Sequence, residues 1–372
     1  MLVKPLTVAF VLLTYNTDEP AGIERSIASL AEGMRALGHR TLIVAAGPAT
    51  GHYVPGLVRL ASIRLPRPAV EADLTKQLTD TGPVERELHD LLTTHRVDLV
   101  CWVDAVWGLG YLAPAPPGVA TALMVHVLRT DEPMHASLAH HPAVITVSDF
   151  LLDQAADAGL DTTMWQVVPN ALLHTAAPPS PAEREELRRA GPVRIVARAE
   201  PHKGTAELLR ALPAELGREV EIVLAPAGFE YWPGMQEQVL DACRELAADL
   251  PRVWLLPALP WHGVQPFLAR AAVTAVASTS PETFGNVAAE ALSVGTPVIG
   301  YELGHLPALT GQAGRLLPLA DGPHRLWQTL RKLLSDRVGY HAASQAAPGQ
   351  VAAHTPIAVA QAFLDATVGV RR

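Results

Sequence analysis

Along the whole chain, two kinds of segment alternate. One is an apolar run long enough to form a buried strand, and the other has apolar residues at the spacing of a helix. The first run, residues 8–13, is followed by a loop and then by apolar residues at spacings of four and three from Ile23 to Leu37. Gly38 ends this helix, and residues 40–46 are again apolar. Because a strand–helix–strand order of this kind needs a crossover between parallel strands, the chain is predicted to form α/β domains with parallel sheets.

A second series of strands begins after residues 175–192, whose proline and alanine content is typical of a linker. The further predicted strands are residues 99–103, 120–125, 143–147, 193–197, 221–225, 253–256, 273–277 and 297–300. The chain has 372 residues, which fits two domains of ordinary size. We predict an N-terminal domain over residues 1–172, a C-terminal domain over 173–345, and a helical tail over 346–372 that packs across both.

Charge, hydropathy and cysteine content exclude several classes of protein. The net charge of −8 argues against sequence-independent nucleic-acid binding. No apolar stretch approaches the roughly 20 residues needed to cross a bilayer, and the apolar start has no signal-peptide cleavage site. Cys101 and Cys243 are far apart in the chain, which argues against a disulfide framework and against a zinc site. So few cysteines suggest a reducing compartment. We therefore predict a cytoplasmic protein without stable membrane association and without a nucleic-acid partner.

The most informative motif pairs Glu282 with Glu290. Glu282 follows the predicted strand 273–277, at the strand end where open α/β sheets bind ligands. Gly285 and Asn286 open a helix whose free N–H groups can bind an anion, and Glu290 lies about one turn inside that helix. Two unrelated surface glutamates would be the simpler explanation of a bare pair. With the strand and the Gly-Asn turn in place, the pattern favours a sugar nucleotide, with acids for its hydroxyls and amides for its phosphates.

Arg198 and Lys203 form a second candidate group, directly after the predicted strand 193–197. Arginine offers a fork of donors and lysine a compact charge, so two such cations on one loop can hold a diphosphate and stabilise its charge as it leaves. A solvated basic loop is an equally good explanation of this segment taken alone.

The N-terminal half contributes two weaker candidates. Gly22 stands just before a helix, where backbone can approach a phosphate, although a plain helix start explains it as well. His126 ends the predicted strand 120–125 and can reach a substrate hydroxyl, although a buried structural histidine is the ordinary case. The chain has no Asp-x-Asp pair of the kind that holds a divalent metal in many nucleotide-sugar enzymes. We predict neither a metal nor another cofactor.

Together these residues resemble the family-4 retaining glycosyltransferases, which have the GT-B architecture of two Rossmann-like parallel-sheet domains facing each other across a cleft. The resemblance is carried by Glu282 and Glu290 at their spacing of eight, by Arg198 and Lys203, and by His126. It implies a nucleotide-diphosphate sugar bound mainly by the C-terminal domain and an acceptor bound mainly by the N-terminal one. It also implies retention of anomeric configuration, with the leaving diphosphate helping to deprotonate the acceptor.

The resemblance also implies roles for individual residues. The catalytic group would be His126, Arg198, Lys203 and Glu282. The donor-binding group would be Gly22, Arg198, Lys203, Gly285, Asn286, Val287 and Glu290. In these groups the two cations hold the diphosphate and Glu290 holds the ribose, while Glu282 and His126 contact the donor sugar. The amides near the glycines face phosphate.

The acceptor hypothesis comes from the charge of the first domain. Residues 1–172 carry 11 Lys and Arg against 18 Asp and Glu, a net charge of −7, which favours a cationic acceptor. Asp104, Asp131 and Glu132 are the candidate acceptor residues because they lie on or beside predicted strand ends. We predict a small polar acceptor such as an amino-cyclitol, as in aminoglycoside antibiotic biosynthesis, and UDP-GlcNAc or UDP-glucose as donor.

Three alternatives remain open. Residues 54–67 carry three arginines among apolar residues, which suits a transferase acting on a lipid or a cell-surface glycan. A non-catalytic sugar-nucleotide-binding relative would explain Ala21 and Ala308, which stand where the family commonly has glycine and an acid. A sugar-nucleotide epimerase or a phosphorylase of similar architecture would share the phosphate-binding residues.

Overall fold

The computed structural model describes residues 4–17, 21–47, 53–112, 115–173 and 176–368. The chain divides into two compact units. Unit 1 consists of Met1–Asn16, Ala21–Ala171 and His354–Arg372, and unit 2 consists mainly of Leu172–Ala353. Each unit is built around one parallel β-sheet.

The sheet of unit 1 has seven strands, all paired in parallel. They are β1 (Thr7–Val11), β2 (Arg40–Ala45), β3 (Leu57–Arg59), β4 (Leu99–Val103), β5 (Ala120–Val125), β6 (Ala143–Thr146) and β7 (Gln166–Val167). Their order is β3-β2-β1-β4-β5-β6-β7. The chain therefore runs outward from β1 to one edge and returns to the other side of β1. This reversal between β1 and β4 is the position where open α/β sheets bind ligands.

Five helices connect these strands: α1 (Gly22–Ala36), α2 (Glu71–Gln77), α3 (Gly82–Thr94), α4 (Glu132–His140) and α5 (Asp149–Asp157). The apolar stripe predicted for the first helix is buried in α1, where Ile27, Leu30 and Met34 are nearly inaccessible to solvent. Helices α4 and α5 begin where Asp131 and Ser148 accept hydrogen bonds from backbone amides of the first turn.

The sheet of unit 2 has six parallel strands in the order β10-β9-β8-β11-β12-β13. They are β8 (Val193–Arg198), β9 (Val220–Ala225), β10 (Val253–Leu256), β11 (Val273–Val276), β12 (Val298–Tyr301) and β13 (Gly314–Leu317). The strand order reverses between β8 and β11, so this sheet has its own ligand-binding position there.

Three strands that the sequence did not indicate lie at sheet edges. Strands β3, β7 and β13 have only two to four residues each, and of these residues only Gly314 and Leu317 of β13 are fully buried. An edge strand is covered on fewer sides than a central one, so it needs no continuous apolar run. The apolar-run criterion therefore finds the central strands and misses these.

Unit 2 contains eight helices among its described residues. They are α6 (Pro181–Ala190), α7 (Thr205–Arg210), α8 (Met235–Ala248), α9 (Trp261–Ala269), α10 (Asn286–Ser293), α11 (Leu306–Thr310), α12 (Gly322–Ser335) and α13 (Arg337–Gln350). Helix α6 begins with a capping box: the Ser180 amide donates to Oε2 of Glu183 at 2.8 Å, and the Glu183 amide donates to the Ser180 hydroxyl at 3.3 Å.

The last helix, α14 (Pro356–Val368), folds with unit 1. It packs against α1 so closely that a Cβ added to Gly33 would lie 1.9 Å from the carbonyl oxygen of Pro356. The Phe363 ring lies 5.5 Å from the Phe10 ring of β1, and both are fully buried. This C-terminal helix therefore completes the core of unit 1, and its predicted packing across both domains stays a prediction.

Candidate active site

The two motifs predicted in the C-terminal half meet at the carboxyl-terminal ends of the central strands of the unit 2 sheet. Strand β8 ends at Arg198 and leads into a 3₁₀ turn over Pro201–Lys203. Strand β11 pairs directly with β8 and leads into the loop that contains Glu282. The strand order reverses between these two strands, and such a reversal is the position where open α/β sheets bind ligands.

Lys203 and Glu282 form an ion pair across this reversal point. The Lys203 Nζ atom lies 2.6 Å from Oε1 of Glu282, and the hydroxyl of Ser278 donates to the same oxygen. Burial acts to raise the pKa of Glu282. The charge and hydrogen bond of Lys203, the hydrogen bond from Ser278 and the charge of Arg198 outweigh it and hold that pKa below its ordinary value. Glu282 is therefore an ionised acceptor beside two cations.

Arg198 is held by a buried carboxylate that the sequence analysis did not single out. Glu200 is 2% exposed, with Oε1 3.1 Å from Nη1 of Arg198 and Oε2 3.0 Å from Nε2 of His202. Burial acts to raise the pKa of Glu200, but the contact with His202 and the charges of Arg198 and Lys203 leave it lower than usual. Glu200 lies between Arg198 and Lys203 in the sequence. An acid among cations in a loop is equally typical of a surface ion pair, so the sequence did not identify it.

The loop after β9 brings aromatic rings to the same residues. The Arg198 guanidinium lies 5.3 Å from the centre of the Phe229 ring, and the Tyr231 ring lies 5.8 Å from that of His202. Glu230 holds the loop by accepting a hydrogen bond from the Gly234 amide at 2.8 Å. No sequence pattern indicated these contacts, because they depend on β9 being the neighbour of β8.

Glycines allow the loops around Glu282 to approach each other. Gly204 has a φ of +66°, and an added Cβ would lie 2.1 Å from the carbonyl oxygen of Ala277 at the end of β11. Gly304 has a φ of +62°, and its added Cβ would lie 2.3 Å from the carbonyl oxygen of Glu282. The amide of His305 donates to that same oxygen at 2.8 Å. The backbone of Glu282 thus lies directly against the segment of Gly304 and His305, which a side chain at position 304 would push away.

The predicted anion-binding helix begins where the sequence placed it. Gly285 has a φ of +91° and is the N-cap residue of α10, and as a glycine it offers no side chain to cap this helix. Asn286 and Val287 form its first turn and are half-buried, and Glu290 lies in the next turn at 5% exposure. A helix N-terminus without a side-chain cap presents N–H groups and a partial positive charge to a ligand.

In unit 1 the structure places His126 and Asp104 side by side. His126 follows β5 and is 2% exposed, and its amide donates to Oδ1 of Asp104 at 2.7 Å. Within the described ranges its Nε2 atom has no hydrogen-bond partner. Burial lowers the pKa of His126 to about 3, so the imidazole is neutral at physiological pH. Gly22 is the first residue of α1, and the side chain of the preceding residue, Ala21, makes no capping hydrogen bond.

The three acids predicted for the acceptor do not form one exposed acidic patch. Asp104 is buried and accepts hydrogen bonds from the amides of His126 and Val127. Asp131 is paired with Arg129, whose Nε atom donates to it at 2.8 Å. Glu132 is the exposed acid of the three. The neutralisation of Asp131 by Arg129 weakens the argument for a cationic acceptor at this place.

Two further findings concern metal ions and membranes in the part of the chain that the structure describes. There, no group of three or more His, Cys, Asp and Glu side chains is arranged to hold a metal ion. No helix in those ranges is long and apolar enough to cross a membrane.

Both halves of the chain match known glycosyltransferase families. Residues 20–172 match Glycosyltransferase Family 4, and residues 193–336 match Glycosyl transferases group 1. The chain is 35% identical over 184 residues to D-inositol 3-phosphate glycosyltransferase of Frankia alni, a match covering 45% of this chain and 44% of that protein. It is 26% identical over 335 residues to phosphatidyl-myo-inositol mannosyltransferase of Mycolicibacterium smegmatis, which covers 82% of this chain and 80% of that protein.

The fold also matches solved glycosyltransferase structures. HepE from Anabaena, solved in complex with UDP and glucose, superposes with a TM-score of 0.70 and 18% identity, covering 96% of this chain and 98% of that one. The two parallel sheets and this match confirm the prediction of two Rossmann-like parallel-sheet domains. The chain belongs to the glycosyltransferases of family 4 and group 1, with the GT-B architecture of two Rossmann-like domains.

Proposed function

We propose that the protein transfers a hexose from a nucleotide-diphosphate sugar to a hydroxyl group of a cyclitol acceptor. The observation that carries the proposal is the ion pair of Lys203 with Glu282 beside Arg198, at the strand-order reversal of unit 2. It brings together cations for a diphosphate and an ionised carboxylate for sugar hydroxyls.

The chemistry follows from the charges of these groups. As the bond between sugar and diphosphate breaks, negative charge grows on the diphosphate, and Arg198 and Lys203 stabilise it. The N-terminus of α10 adds further N–H donors at Asn286 and Val287. Glu290, buried one turn later, is suited to accept hydrogen bonds from ribose hydroxyls. Glu282 stays ionised and accepts hydrogen bonds from the transferred sugar.

His126 is proposed to hold the transferred sugar from unit 1. Its neutral imidazole can donate to or accept from a hydroxyl, and its Nε2 atom has no partner within the described residues. We propose that the reaction retains anomeric configuration, with the departing diphosphate taking up the acceptor proton. In this scheme the protein supplies the stabilising charge itself, without a metal.

Donor and acceptor are proposed from the relatives and the fold. The HepE structure with UDP and glucose supports a UDP-hexose donor, as the sequence analysis also favoured. Both curated relatives are named for inositol-containing acceptors. Inositol is a cyclitol, as is the ring of the amino-cyclitol predicted from charge, but the relatives give no support to a role in antibiotic biosynthesis. The second candidate is a lipid-linked acceptor, which the match to the phosphatidyl-myo-inositol mannosyltransferase favours.

The test compares Lys203→Met with Lys332→Met, a control that removes an exposed lysine of the same unit. Calorimetric titration with UDP should show binding to the wild-type chain and to the control. The Lys203 variant should bind at least about tenfold more weakly, because each tenfold loss corresponds to about 1.4 kcal/mol and a charged hydrogen bond contributes about that much or more.

Turnover distinguishes a transferase from the other classes. The wild-type chain should release UDP from UDP-glucose or UDP-GlcNAc only when an inositol-type acceptor is added. UDP binding without any release would indicate a non-catalytic relative, and release that depends on free phosphate would indicate a phosphorylase. Equal UDP affinity of the two lysine variants would contradict the proposed site.

A further inference from the structure

His202 lies between the two cations of the candidate active site in the sequence and contacts the carboxylate that holds one of them. Its Nε2 atom is 3.0 Å from Oε2 of Glu200, whose other oxygen is 3.1 Å from Nη1 of Arg198. The carbonyl oxygen of His202 accepts hydrogen bonds from the amide of Thr279 at 2.7 Å and from its hydroxyl at 3.2 Å. The histidine is therefore fixed against the loop after β11, while its side chain stays 26% exposed and within reach of solvent protons.

The contact with Glu200 decides which nitrogen of His202 carries a proton. An ionised carboxylate only accepts hydrogen bonds, so the Nε2 atom carries its proton toward Oε2. In a neutral imidazole the Nδ1 atom is then a bare acceptor, which repels the oxygens of a phosphate. A second proton turns Nδ1 into a donor and gives the ring a positive charge. A diphosphate therefore interacts favourably with the protonated form of this side chain and unfavourably with the neutral form.

The cations of the candidate site are already matched by ionised acids. Lys203 is paired with Glu282 and Arg198 with Glu200, and the pKa of each carboxyl group is held below its ordinary value. Both oxygens of Glu200 are cut off from solvent, so its charge is balanced inside the site. A diphosphate brings further negative charge to this balanced group. The site then holds an excess of negative charge unless it gains a proton.

His202 is the member of this group that can gain the proton most easily. The charged and titratable side chains around it belong to three segments: Arg198, Glu200 and Lys203 to its own, Tyr231 to the loop after β9, and Glu282 to the loop after β11. The arginine and the lysine are already charged, the phenol has no positive form, and the lowered pKa of each carboxyl makes it harder to protonate. An imidazole ordinarily changes its charge between about pH 5 and 8.

We propose that His202 takes up a proton when the diphosphate of a nucleotide binds, and so becomes the third cation of the donor site, held in place by Glu200. The proposal rests on the proposed function, in which Arg198 and Lys203 receive the diphosphate. The proton comes from solvent, stays on the imidazole while the nucleotide is bound, and returns to solvent when the nucleotide leaves. Glu200 is a positioning residue in this scheme, because it directs the Nε2–H of His202 toward itself.

The test is a calorimetric titration of the whole chain with UDP, in HEPES and in Tris buffer at about pH 7.5. These buffers release protons with different heats, so the difference between the two binding enthalpies gives the number of protons taken up. The variants are His202→Gln and the control His324→Gln, which removes an exposed histidine of α12. Glutamine keeps an N–H donor for Glu200 but cannot be protonated. Proton exchange by UDP itself is common to all three proteins and cancels in the comparison.

The wild-type chain and the His324 variant should each take up about 0.3–1 proton per UDP more than the His202 variant does. Between about pH 6 and 8.5, the dissociation constant for UDP should rise about tenfold more for the wild-type chain than for His202→Gln, because one bound proton changes affinity by up to about tenfold per pH unit. Unfolding temperatures within a few degrees of wild type would show that both variants fold.

Equal proton uptake by the His202 variant and the wild-type chain would overturn the proposal, because another group would then bind the proton. Absence of uptake by the wild-type chain, or an equal loss in the His324 variant, would overturn it as well. If the wild-type chain bound no UDP, the proposed function would fail and the role of His202 with it. UDP binding without a proton that depends on His202 would remove only the role of His202.

Discussion

Asp104 combines backbone strain, burial and a perturbed pKa in one residue. Its φ is +78°, a left-handed conformation that aspartate tolerates better than most residues. Its carboxylate accepts hydrogen bonds from the amides of His126 and Val127 at 2.7 and 3.1 Å. The residue therefore sets the direction of the chain as it leaves β5 and so positions His126.

The first prediction concerns the pH dependence of stability. Burial raises the pKa of Asp104 from 3.8 to about 7, so between these values the native state binds a proton that the unfolded state releases. The stabilisation from this proton is complete below about pH 4 and is lost as the pH rises toward about 7. Relative to Asp104→Asn, which cannot titrate, the free energy of unfolding of the wild-type chain should therefore fall across this range, by up to about 1.4 kcal/mol per pH unit.

Urea unfolding at about pH 4.5, 6 and 8 measures this difference. Asp131→Asn is the matched control, because Arg129 holds the pKa of Asp131 below its ordinary value. The stabilisation from ionised Asp131 is lost only as the pH falls below that ordinary value. The free energy of unfolding of Asp131→Asn should therefore differ from that of the wild-type chain by a nearly constant amount over the same range. A constant difference for Asp104→Asn as well would contradict the prediction.

At the scale of elements, the candidate site depends on how closely the β8 and β11 loops approach each other. Gly204 ends the 3₁₀ turn that carries Lys203, and it faces the last residue before the Ser278 loop, Ala277. A side chain there would separate the two loops. The distance between Lys203 and Glu282 is therefore controlled by a residue that carries no charge.

We predict that Gly204→Ala destabilises the chain more than Gly217→Ala does. Both glycines have nearly the same φ, +66° and +68°, so both variants pay about 1–2 kcal/mol for a left-handed alanine. At Gly217 the nearest atom to an added Cβ is 3.8 Å away, whereas at Gly204 it is a backbone oxygen at 2.1 Å. The Gly204 variant should lose a further 1–3 kcal/mol, roughly, and bind UDP more weakly. Urea unfolding and UDP titration measure both effects, and equal behaviour of the two variants would refute the role given to the loop contact.

At the scale of the whole molecule, the chain crosses from unit 2 back to unit 1 at its end. Helix α13 folds with unit 2, and α14 packs on α1 in unit 1. The core of unit 1 is therefore complete only when α14 has packed onto α1. The contact between the rings of Phe363 and Phe10 joins α14 to β1.

Phe363→Ala should destabilise unit 1 by about 3–5 kcal/mol, because it empties a fully buried position. Ile357→Ala, on the same helix but 52% exposed, should stay within about 0.5 kcal/mol of wild type. Hydrogen exchange followed by mass spectrometry should show faster exchange in β1 and α1 of the Phe363 variant. Faster exchange in the sheet of unit 2 to the same degree would contradict the assignment of α14 to unit 1.

Much of the architecture was determined by the sequence alone. Apolar periodicity located the central strands, and the spacing of Glu282 and Glu290, together with Arg198 and Lys203 at a strand end, indicated the donor-binding half. These features are local, since whether a residue faces a core or ends a strand is recorded within a few neighbours. The short edge strands β3, β7 and β13 left no such record because they are only partly covered.

Partnerships between charges were decided by the tertiary structure. Lys203 pairs with Glu282 across 79 residues because β8 and β11 are neighbours. Glu200 could be recognised as a buried anchor, and Asp131 as an acid already neutralised by Arg129, only once their surroundings were known. The strength of a charge–charge contact depends on distance and burial, and strand order sets both, whereas local periodicity does not encode it.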